Sequence, residues 1–118
     1  MDSILNTIKK LLGIQPEYTN FDEDIIVGIN TAFATLNQIG VGPPDGFMIE
    51  DETQTWNEYI TSCNLTMVKT YIQMKVRLLF DPPAGSVLES INRTISELEW
   101  RLYCEVKENN SIGGDTDE

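Results

Sequence analysis

At 118 residues the chain is long enough for one modest hydrophobic core and too short for two independent ones. Eight Lys and Arg against nineteen Asp and Glu give a net charge of -11, which opposes binding to phosphate backbones or anionic membrane surfaces. Histidine is absent, which removes the commonest general base and metal ligand, and Cys63 and Cys104 form no CxxC pair for zinc or redox chemistry.

The two cysteines therefore read as reduced thiols of a cytosolic chain. The start lacks a basic segment followed by a long apolar run, and no stretch approaches roughly 18 apolar residues, so neither export by a standard signal nor membrane insertion is expected. Ile4, Leu5, Ile8, Leu11 and Leu12 recur at helical spacing, with Lys9 and Lys10 expected on the other side and Gly13 as the stop. This is a short packing helix. Asn20 and Glu23 have capping-box spacing, and Asp22, Glu23 and Asp24 suit the positive end of a helix dipole. Ile25, Ile26, Ile29, Ala32, Phe33 and Leu36 then form one apolar face, opposed by Asn30, Thr31, Thr35 and Gln38, until Gly40.

From Gly40 to Gln54 helix breakers and then acids predict one long loop, in which only Phe47, Met48 and Ile49 can make a short extended piece. Such loops are uncommon in compact domains unless they bind something or move, so Phe47 and Met48 are candidate contact residues. Trp56, Tyr59 and Ile60 are spaced for two helical turns, with both aromatics assigned to the core.

Asn64 can cap a third major helix to Phe80, expected to be central and the most buried. Leu65, Val68, Ile72, Val76 and Leu79 make one apolar stripe, and Met67, Tyr71, Met74 and Leu78 a second. Its polar strip carries Lys69, Gln73 and Arg77, a solvated face or a contact with an acidic neighbour. Asp81-Pro82-Pro83 stops the helix stiffly, and Ser86 with Glu89 restarts one, giving an antiparallel hairpin.

From Ser86 to Lys107 the apolar residues Leu88, Ile91, Ile95, Leu98 and Leu102 keep the period of one helix face. Glu89, Arg93, Glu97, Arg101 and Glu105 alternate in sign every fourth residue and predict a self-paired ladder. At about 100° per residue, Trp100 falls opposite the middle of the apolar stripe, where a large aromatic has no place in the chain's own core. The whole reads as all-α: four to five helices with a C-terminal antiparallel hairpin and one long loop, a single domain over residues 1–108, and a flexible acidic tail over 109–118.

No Gly-rich phosphate loop, serine nucleophile elbow, HExxH or EF-hand spacing occurs, and the carboxylate runs at Asp22 to Asp24 and Glu50 to Glu52 read as solvated. Enzymatic activity, a cofactor and a metal are not expected. The run Tyr71 to Pro83 (YIQMKVRLLFDPP), Ser86, and Ile95 to Leu102 (ISELEWRL) resembles the head-tail connector proteins of tailed bacteriophages, with weaker support from Asp24 to Val41. The resemblance implies a structural virion protein of the neck. Such an adaptor forms a ring, commonly a dodecamer, between the portal protein and later neck or tail proteins, and passes through the host cytoplasm during assembly.

DNA would pass through the ring without tight binding, in keeping with an acidic subunit and no membrane role. Exposure arguments then nominate Trp100, Arg93 and Arg101 as one subunit or portal interface, and Lys69, Gln73 and Arg77 or the Phe47-Met48 loop as the other. The alternative is an acidic inhibitor that mimics DNA and occupies a nucleic-acid-binding host protein, although arginines interrupt its acids on the last helix.

Overall fold

The computed structural model describes residues 3–59, 61 and 63–116, with side chains as far as 108. Four helices follow one another: α1 (Ile4–Leu11), α2 (Asp22–Gln38), α3 (Leu65–Phe80) and α4 (Gly85–Thr116), with a single 3-10 turn at Trp56–Glu58. Among the described residues there is no strand, only an isolated antiparallel bridge between Ser3 and Thr55. The fold is all-α, as the sequence predicts.

The helix α1 starts where Ser3 Oγ accepts the Asn6 N–H at 3.2 Å, satisfying one of the amides that a first turn leaves free. It buries Ile4, Leu5 and Ile8, but Leu11 is exposed. Lys9 departs from expectation most sharply: it is 1% exposed, not on a solvated face. Its Nζ donates to the carbonyls of Pro16 at 3.0 Å and Tyr18 at 2.7 Å and meets Asp22 Oδ1 at 2.8 Å. The segment after α1 thus supplies the partners that let an ammonium stay inside. At the other end, the Ile4 N–H donates to Gln54 O at 3.0 Å and Trp56 Nε1 donates to Thr7 Oγ1 at 3.0 Å, tying α1 to the chain some fifty residues on.

Asn20 does not cap α2. The capping position is Phe21, which makes no side-chain bond, and the Asn20 amide donates instead to Tyr18 Oη at 3.2 Å. The acidic first turn still suits the dipole, while Asp22 is drawn to Lys9. Ile25, Gly28, Ile29, Ala32, Phe33 and Leu36 are buried. Gly28 sits where a Cβ would lie 3.3 Å from Val76 Cγ2, so its missing side chain allows α2 and α3 to approach closely.

The polar side of α2 is not idle. Asn30 donates to Ile49 O at 3.0 Å and accepts the Ile49 N–H at 2.8 Å, pairing a side-chain amide with a peptide group of the long loop. Ile49 and Val41 are buried, and Phe47 packs edge-on to Phe33 and Tyr59, with ring centroids 5.2 and 5.3 Å apart. Gly42 has φ +94, and a Cβ there would stand 2.7 Å from Tyr59 Oη, so only glycine fits. Trp56 and Tyr59 belong to the core as expected, although they stand around one 3-10 turn instead of two helical ones. Ile60, assigned to the same turns, lies outside the described residues.

Asn64 caps α3, its Oδ1 accepting from the Met67 N–H at 3.1 Å, and α3 packs on α1, α2 and α4. It is central, but α2 carries more fully buried residues: in α3 these are Val68, Tyr71, Ile72 and Val76. The second stripe is only half-buried at Met67, Met74 and Leu78, and Leu79 is exposed. Tyr71 Oη donates to Glu99 Oε2 at 2.6 Å and the Asn64 N–H to Glu105 Oε1 at 2.8 Å, a pairing that runs backwards along α4 and makes the hairpin antiparallel. Ile91, Ile95 and Leu102 face the core, while Leu88 and Leu98 are half-buried at its rim. The α4 backbone continues past Lys107 to Thr116, since no proline interrupts it; the side chains of the expected tail, 109–118, lie outside the described residues.

Candidate functional site

With Ile95 and Leu102 held inward, helical rotation carries the residue between them outward, and Trp100 is 63% exposed. Tyr103, three residues on, shares its face and lies with its ring centroid 6.0 Å from that of the indole. A shallow groove beside Trp100 is floored by the half-buried Met67 of α3 and bordered by Arg101, Cys104, Glu105 and Glu108. An aromatic pair beside a sulfur-lined floor is apolar surface that the chain's own core leaves uncovered.

The ladder of alternating charges is much reduced. Among the described residues only Arg101 and Glu97 pair on this helix, with Nη2 and Nε of the arginine donating to Oε1 at 2.9 and 3.1 Å. Both side chains are more than half exposed, so the pair adds little stability. Glu105 leaves the ladder because it accepts the Asn64 N–H, a tertiary partner no local spacing could announce. Arg93 is exposed, joins no ion pair among the described residues, and is not part of the groove. Lys107 Nζ lies 5.6 Å from the Tyr103 ring centroid.

The other nominated residues are dispersed. Lys69 is half-buried with its Nζ 5.0 Å over the Trp56 ring, Gln73 is half-buried, and Arg77 is exposed without an ion pair among the described residues. Phe47 is held in the aromatic cluster with Phe33 and Tyr59, while Met48 is exposed on the loop. The structure therefore joins Trp100 and Arg101 in one groove and leaves Arg93, the α3 strip and the loop outside it. Sequence reasoning missed Tyr103, Met67 and Glu108; the i, i+3 spacing from Trp100 was the available signal for Tyr103, whereas Met67 comes from another helix.

Three groups packed into the fold, Cys63, Tyr59 and Tyr71, are biased toward their neutral forms. Burial pushes the Cys63 thiol up, and burial also raises the phenols of Tyr59 and Tyr71, the latter reinforced by the Glu99 carboxylate. A thiol kept protonated is a poor nucleophile. Both cysteines are free, and among the described residues no three His, Cys, Asp or Glu side chains gather to hold a metal ion. Among the same residues no helix is long and apolar enough to cross a membrane.

Trp100 and Tyr103 thus leave aromatic surface uncovered beside the groove. The sequence matches the model of the phage connector protein family over residues 4–109, and the chain belongs to that family. No curated protein and no solved structure matches it.

Proposed function

We propose that the chain is a structural, non-catalytic component of the virion neck, an adaptor that forms a ring between the portal protein and later neck or tail proteins. The observation that carries this reading is Trp100, exposed on a helix whose opposite face supplies the core, in a chain of the phage connector family. A closed head-to-tail ring uses two different patches per subunit. Trp100 and Arg101, with Arg93 about two turns earlier on the same helix, form one, and the Lys69, Gln73 and Arg77 strip or the Met48 loop forms the other. Twelve copies would match a twelvefold portal.

A subunit with net charge -11 lets DNA slide through the channel without adhering. The segment 109–118 engages the portal in the assembled particle, and the chain resides in the host cytoplasm before it joins the virion. Deleting the protein from an infecting phage tests this reading. The expected result is heads that lose DNA and fail to join tails, restored by the intact chain; particles that retain DNA and acquire tails normally would refute it.

A further inference from the structure

We infer that the Trp100 groove receives an arginine-bearing segment of another polypeptide, with the guanidinium stacked on the indole and held by the glutamates at the groove's edge. This rests on the reading of Trp100 as a contact residue and names the chemistry of what it contacts.

Three observations carry the inference. The groove's own cation, Arg101, is offset by Glu97, to which it donates two hydrogen bonds. Glu108 and Glu105, one oxygen of which accepts the Asn64 N–H, stand at the edge and leave the groove with net negative charge, so an acidic segment is repelled and a basic one attracted. The aromatic pair also takes a cation within the chain itself: Lys107 lies over Tyr103, and the Trp100 ring next to it has no cation on its face among the described residues. Arginine suits the site better than lysine, since its planar, weakly hydrated guanidinium stacks on an indole while its edge donates to carboxylates. The Met67 floor accepts the aliphatic stem or an adjacent apolar side chain.

The test is a titration of the full chain, followed through its two tryptophan indole N–H signals in nitrogen-15 correlation spectra, with Trp100→Phe used to assign them. Trp56 Nε1 is bonded to Thr7 Oγ1 and serves as the internal reference. The probes are three capped five-residue peptides that carry two arginines, two lysines or two glutamates around a central leucine. The arginine peptide is expected to shift the Trp100 signal and leave Trp56 unmoved, to bind about two- to fivefold more tightly than the lysine peptide, and to weaken as salt rises. Glu108→Gln should weaken arginine binding, and Trp100→Leu should abolish the preference for arginine over lysine. The inference is overturned if the arginine peptide leaves Trp100 unmoved or if the glutamate peptide binds as well. It is equally overturned if the signal shifts with protein concentration alone and Arg77→Gln, which removes the exposed arginine of the other candidate patch, leaves that shift unchanged, since the occupant would then carry no arginine. Peptide binding without any role in particle assembly would sink the neck assignment and not this inference; the reverse pattern would sink only this one.

Discussion

Lys9 is the residue at which a single change should be most costly for its size. Replacing it with methionine keeps the apolar stem in place and deletes one charge, so packing is nearly conserved. Two backbone carbonyls, Pro16 and Tyr18, then lose the donor they had at 3.0 and 2.7 Å, and Asp22 loses its counterion at 2.8 Å. Hydrogen bonds to a charged group are worth about 1.5 to 3 kcal/mol each, and breaking a buried pair costs about 3 to 5 kcal/mol. The Asp22 side chain keeps 21% of its exposure and recovers some hydration, which places the expected loss near the lower figure, about 3 kcal/mol. For a domain of this size that is a fall in melting temperature of about 10 °C or more. Urea unfolding followed by circular dichroism gives the measurement, with the exposed Lys10→Met as control, expected to stay within about 0.5 kcal/mol. A Lys9→Met loss below about 1 kcal/mol, or one no larger than the control, would refute the reasoning that the ammonium organises the turn between α1 and α2.

Leu102→Ala should cost about 2 to 5 kcal/mol in the same assay, and Leu98→Ala distinctly less, because Leu102 is fully buried and Leu98 sits half-buried at the rim. Asn30→Ala should cost about 1 to 3 kcal/mol by leaving the Ile49 peptide group unpaired, and hydrogen exchange at the Ile49 amide should accelerate while the α3 amides stay protected. Burial raises the phenols of Tyr59 and Tyr71, so the folded state holds protons that the unfolded state releases first; stability is complete below about pH 10 and falls as pH rises beyond it. Ultraviolet difference titration with parallel circular dichroism should show two of the four tyrosines ionising only together with loss of helix.

The helical elements were legible because their signals are local. The stripe Ile91, Ile95, Leu102 specifies which side of α4 faces inward, and the same arithmetic sends Trp100 outward, where it stands. The Asn64 cap and the Asp81-Pro82-Pro83 stop are likewise readable from neighbouring residues. What sequence did not disclose depends on partners distant in the chain. Lys9 looks like a solvated lysine until the segment around Pro16 and Tyr18 closes over it. Asn30 looks like a polar-face residue until the loop brings Ile49 to it, nineteen residues away. Glu105 looks like a rung of a charge ladder until the hairpin presents the Asn64 N–H. For the groove, spacing yields Trp100, and the same spacing held an unused signal for Tyr103 beside it, but the Met67 contribution exists only after α3 and α4 pack.

The central claim is that α4 turns its indole to a surface that assembly covers. Oxidative footprinting with mass spectrometry, applied to the free protein and to intact particles that contain it, reads this directly at Trp100, with the buried Trp56 as the reference. The account predicts strong labelling of Trp100 in the free chain and at least a severalfold loss in particles, with Trp56 weakly labelled in both. Equal labelling of Trp100 in the two states would contradict it.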